Sequence, residues 1–151
     1  MVVLVLVALL VTLGVAVAGW FRPAPSNKPS AAQTYTDQQI AMARTKVCAA
    51  YDKVHHAVLA NTGRDGDNDP GTVLGVAANA RIALYDGGNY LLKVLAEESA
   101  TPGALAEAIR ALSSAYQQLA INYMAEAPDP ELKSSRDVVE AAGSKVSEMC
   151  K

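Results

Sequence analysis

TPGALAEAIRALSSAYQQLAINYM, residues 101–124, carries Leu105, Ile109, Leu112, Tyr116, Leu119 and Tyr123 at successive steps of four, three, four, three and four. That spacing is the seam of a helix with one apolar face, and it makes the surrounding chain a helical bundle. Thr101-Pro102 reads as a cap followed by proline at the first helical position. The flanking segments keep the same period. Thr36 with Gln39 forms a capping box that opens a helix to about Ala60, whose stripe is Ile40, Ala43, Val47, Ala50, Val54 and Ala57, widened by Tyr51 and Val58. Residues 61–71, NTGRDGDNDPG, are dense in breakers and predict a loop. A second helix runs from about Thr72 to Glu98 on Val73, Val76, Ala80, Ala83, Leu84, Leu91, Leu92 and Leu95, and Gly87-Gly88 predicts a kink or split in it. Asp129-Pro130 repeats the cap-and-proline device before a last helix on Leu132, Val139, Ala142, Val146 and Met149. Four helices on short connections predict an all-α, up-down four-helix bundle over residues 36–151.

Ahead of the bundle stands different material. Residues 1–21 contain no charged side chain and end in Trp20-Phe21, the only Trp and Phe of the chain. As a helix this run spans about 30 Å, the depth of a bilayer's hydrocarbon core, so it reads as a transmembrane anchor with an interfacial aromatic pair. Ala16-Val17-Ala18 also resembles a signal cleavage site, but the apolar run outlasts a signal core of about 7–15 residues. Residues 22–35, with three prolines, read as an extended linker.

Two signals disagree about orientation. Arg22 and Lys28 follow the span and nothing basic precedes it, which by charge count puts the bundle in the cytoplasm. The lack of any basic stretch before the span suggests a start upstream of Met1 or a missing basic cytoplasmic segment. The two cysteines, Cys48 and Cys150, lie about a hundred residues apart in the bundle and read as one disulfide, which belongs to an oxidising compartment. The disulfide reading sets the expected location: a single-pass cell-membrane protein with its C-terminal domain outside the cytoplasm.

A formal net charge of −2 gives no support for a nucleic-acid surface. Asp65, Asp67 and Asp69 alternate like the opening of a calcium loop, yet Pro70 and Val76 occupy the positions where that loop needs glycine and glutamate, so no metal site is expected. Adjacent His55 and His56 point about 100° apart on a helix and cannot chelate one ion as a pair. Cys48 and His55 are two turns apart, too far for a nucleophile and its base. Glu97-Glu98 reads as surface charge. Neither a catalytic set nor a cofactor motif is evident.

Tyr51, Tyr116 and Tyr123 are the candidate ligand-lining residues, because tyrosines on a core seam need a hydroxyl partner or an exit to water. Cys150 ends the last helix whereas Cys48 sits some twelve residues into the first, so a bridge staggers the two helices. The stagger predicts an exposed apolar strip at Ile40 and Ala43, the candidate interface for a protein partner.

The span ending in Gly19-Trp20-Phe21-Arg22-Pro23, the segments Val47-Cys48-Ala49-Ala50-Tyr51-Asp52 and Ala80-Arg81-Ile82-Ala83-Leu84, and the terminal Cys150-Lys151 resemble a group of Ala-rich, single-pass membrane proteins of mycobacteria and related actinobacteria that have no assigned activity. The resemblance implies a cell-envelope protein with an external domain. The expected function is a non-enzymatic interaction or scaffold module in the envelope. The alternative is a carrier or sensor that holds a small apolar ligand between its helices. A continuous cavity beside Tyr116 and Tyr123 would favour the second.

Overall fold

The computed structural model describes residues 34–63 and 69–151, and these form an all-helical four-helix bundle. The helices are α1 (Asp37–Thr62), α2 (Pro70–Glu97), α3 (Gly103–Met124) and α4 (Asp129–Met149). The expected anchor, residues 1–21, lies outside the described residues, as do nearly all of the linker and Asp65 and Asp67. Among the described residues no helix is long and apolar enough to cross a membrane.

Local chemistry sets the ends of the helices. At α1 the capping box is complete: the Gln39 backbone N–H donates to Thr36 Oγ1 at 3.3 Å and the Thr36 N–H to Gln39 Oε1 at 2.8 Å. At α2 the cap is Asp69, which accepts from the Thr72 N–H at 2.8 Å and from its hydroxyl at 2.9 Å. These bonds hold the Asp69 carboxyl below its ordinary range, and the last aspartate of the loop is thereby used as a cap. The other two cap expectations shift by one residue. Pro102 and Pro128 occupy the cap positions of α3 and α4, and neither helix has a side-chain cap. Thr101 instead donates its hydroxyl back to the Glu98 carbonyl at 2.6 Å, closing the α2–α3 turn. The end of α3 turns through Glu126 at φ 53°, with the Ala127 N–H reaching the Asn122 carbonyl at 3.0 Å.

Three seams are tightly packed: α1 on α2, α2 on α3, and α3 on α4. The core is formed by Val47, Tyr51 and Val54 from α1, Leu84 and Leu91 from α2, Val146 from α4, and nearly the whole α3 seam. Tyr123 alone of that seam remains half-buried. On α1 and α2 the sequence-derived stripe is trimmed, because Ala57, Val73 and Leu92 face outward. Antiparallel order shows in cross-helix pairs at both ends of the bundle. Lys46 at the start of α1 pairs with Glu98 just past α2 at 2.7 Å, and Arg81 early in α2 donates to the Tyr123 carbonyl near the end of α3 at 3.4 Å.

Gly87-Gly88 does not break α2, which runs continuously through both. The pair lets neighbouring helices approach closely. A Cβ on Gly88 would lie 2.9 Å from the Ser113 carbonyl oxygen of α3, and one on Gly87 would lie 2.8 Å from Val54 Cγ1 of α1. The intrinsic helix penalty of glycine, about 1 kcal/mol each, is offset by two close helix contacts. Ser113 fits the same seam by turning its hydroxyl back to the Ile109 carbonyl at 2.8 Å.

Gly88→Ala is therefore expected to destabilise the domain by about 1–3 kcal/mol through overpacking against backbone. Gly75→Ala, with nothing within 4 Å of the new Cβ, should stabilise it by about 0.5–1 kcal/mol. Urea unfolding of the two variants beside the wild type checks both signs; equal effects would mean that the seam does not need the small residue.

Candidate functional site

The fourth seam, between α1 and α4, is built differently. It is fastened at one end, where Cys48 and Cys150 form a disulfide with Cα atoms 5.5 Å apart. Beside it Arg44 donates from Nε and Nη2 to the Met149 carbonyl, at 3.2 and 2.8 Å, and so caps the end of α4. One turn further in, the buried Tyr51 hydroxyl donates to the Gly143 carbonyl at 3.1 Å, and the Ser147 side chain hydrogen-bonds to the same hydroxyl.

Beyond this fastening the seam holds a cleft of about 590 Å³, within the ordinary size range of small-molecule sites. Its α1 wall runs from Tyr51 to Thr62, and the opposite wall from Arg136 to Glu148 of α4 with Lys151 just past the helix end. Helical rise over Tyr51–Thr62 makes it about 16 Å long. The floor is Leu84 of α2 with Tyr116 and Leu119 of α3, and Val58 of α1 and Val139 of α4 add apolar side chains to the two walls. The rim carries both signs of charge, Arg136 and Lys151 against Glu140 and Glu148. The His55 ring stacks on Tyr51, with centroids 5.4 Å apart and planes 18° apart, and extends the aromatic wall outward.

All three tyrosines singled out from the sequence line this one cleft. Tyr51 and Tyr116 are 3% and 2% exposed, whereas Tyr123 is half-buried and accepts from Arg136 Nη1 at 3.4 Å. The Tyr116 hydroxyl makes no hydrogen bond to any described residue. Yet no buried side-chain polar atom among the described residues is left sealed without a partner, so this hydroxyl opens into the cleft that its ring lines. Burial is the main cause that pushes Tyr116 up to about 12, with the nearby Tyr51 adding to it, and burial also raises Tyr51.

The expected interface strip looks different in the structure. Ala43 is 1% exposed and Ile40 is half-buried, so Ala43 offers no surface to a partner. Of the two histidines, His55 lines the cleft and His56 is exposed. Sequence reasoning passed over the α4 wall: Arg136, Glu140, Gly143, Ser144 and Ser147 recur at steps of three and four and look like an ordinary solvated face. A signal was present, however. A closing helix in a square bundle needs an apolar arc wide enough for two neighbours, and α4 has apolar side chains for one.

Comparison with protein-family models, curated proteins and solved structures finds no match to the chain.

Because folding favours the protonated form of Tyr116, its contribution to stability is complete below pH 10 and is lost as pH rises through about 12. The shift corresponds to about 2–3 kcal/mol. Tyr116→Phe should keep the fold at neutral pH and flatten the loss of stability between pH 10 and 12, read by denaturant midpoints across that window. An unchanged alkaline slope would show that Tyr116 ionises like an exposed phenol.

Proposed function

We propose that this chain is a membrane-tethered binding module of the cell envelope whose helical domain holds a small amphipathic ligand in the α1–α4 cleft. The observation that carries the reading is the cleft itself: a bundle with three filled seams leaves about 590 Å³ open along the fourth, and the Tyr116 hydroxyl opens into it without bonding to any described residue. The tether rests on the uncharged run of residues 1–21, and the external location rests on the disulfide and on the resemblance to actinobacterial single-pass proteins. No catalytic role is assigned, since the cleft gathers His55, Ser144, Ser147 and two glutamates without a nucleophile hydrogen-bonded to a base.

One observation favours docking of a protein partner as a second reading. Leu74, Ile82, Tyr85 and Leu92 lie along one side of α2 at helical spacing and are 67%, 57%, 42% and 38% exposed. An apolar row of this kind suits a partner helix better than it suits water.

Ligand and location are tested separately. Small molecules extracted from the purified full chain should include one that is lost from Ser144→Trp, a substitution on the exposed cleft wall that fills the opening and leaves the core untouched; identical extracts would remove the cleft reading. A membrane-impermeant thiol reagent applied to intact cells should label Cys48 and Cys150 only after reduction. Labelling that needs lysis and no reduction would put the domain in the cytoplasm.

A further inference from the structure

We infer that the ligand of this cleft is a single-chain lipid with an uncharged, hydrogen-bond-accepting head, an acyl ester or amide, whose carbonyl accepts from the Tyr116 hydroxyl. The inference rests on the cleft reading above and adds the chemical class of the occupant.

Shape argues for a chain. The site is about 16 Å long, runs between two antiparallel helices, and carries Val58, Leu84, Leu119 and Val139 in its lining, so an extended apolar chain can lie along it. Hydrogen bonding argues for an acceptor. Tyr51 already gives its proton to the Gly143 carbonyl, which leaves the Tyr116 O–H as the floor donor without a protein acceptor. A carbonyl oxygen satisfies it and brings no further donor into an apolar floor. Charge argues for neutrality. The cations of the lining, Arg136 and Lys151, sit on the exposed rim beside Glu140 and Glu148, and the floor holds none. Burial that holds both phenols in their neutral form would equally penalise a carboxylate placed against them.

The test uses the full chain held in amphipol, wild type and Tyr116→Phe, with radiolabelled methyl laurate (the monoester), laurate and dodecane as probes. The wild type should bind the monoester about tenfold more tightly than laurate or dodecane. Tyr116→Phe should weaken the monoester about three- to tenfold, the effect of one neutral hydrogen bond, and leave dodecane unchanged. Laurate or dodecane bound as tightly as the monoester, or a monoester affinity that Tyr116→Phe does not alter, overturns the inference and leaves the cleft reading standing. Failure of the wild type to bind any of the three, with Ser144→Trp behaving identically, overturns both.

Discussion

The Cys48–Cys150 disulfide closes a bundle that packing alone leaves open. The α1–α2, α2–α3 and α3–α4 seams are filled with side chains, whereas α4 meets α1 through the bridge, the Arg44 cap on Met149 and the Tyr51 bond to Gly143. The bridge spans 102 positions of sequence, so in the chain-entropy view it removes about 4–5 kcal/mol of freedom from the unfolded chain, more than the seam's hydrogen bonds supply at about 1 kcal/mol each. Without it the last helix would still pack on α3 through Val146, Val139 and Leu132, but its distance from α1 would be weakly set. The disulfide therefore fixes the spacing of α1 and α4 at one end of the cleft, and the packed α3–α4 seam holds α4 along its length.

This arrangement separates close packing from open volume. Tight approach is concentrated on the far side of the bundle, where Gly87 and Gly88 let α2 sit against Val54 and Ser113. On the cleft side, small residues do the opposite. A Cβ on Gly143 would meet only Leu112 Cδ1, at an ordinary 4.0 Å, so no close helix contact requires a glycine there. Gly143, Ser144 and Ser147 line an opening that leucines would have filled. Small residues thus mark close approach on α2 and open volume on α4, and only the neighbours distinguish the two meanings.

That ambiguity explains which features could be read from the sequence. The α3 seam, the Thr36–Gln39 box and the pairing of Cys48 with Cys150 follow from spacing within one segment or from a count of two, and each stands in the structure as expected. Gly87-Gly88 read as a break because propensity sees one helix at a time, whereas the residues are set by atoms of α1 and α3. The burial of Ala43 was likewise invisible, since an alanine on an apolar stripe reads the same whether covered or bare. Tyr51, Tyr116 and Tyr123 could be singled out as amphipathic groups on core positions. Their convergence on one cleft with Arg136, Glu140 and Ser147 depends on how far apart two helices stand, which no single periodicity encodes.

The hydroxyl of Tyr116 ties these points together. A core seam position serves packing best as leucine or phenylalanine, neither of which carries a group that needs a hydrogen-bond partner. Tyr51 justifies its hydroxyl by fastening α1 to α4 through Gly143, and Tyr123 meets Arg136 at the rim. Tyr116, more deeply buried than Tyr123, fastens nothing. Its hydroxyl opens into the cleft and stabilises no contact among the described residues, and this is the feature the proposed ligand would use. In the proposed mode the polar end would reach the floor of Leu84, Tyr116 and Leu119, lose most of its water there, and find one donor and no counter-charge. On the proposed reading an ion would lose its hydration and a pure hydrocarbon would leave the donor unmet, so polarity at the floor would set the preference.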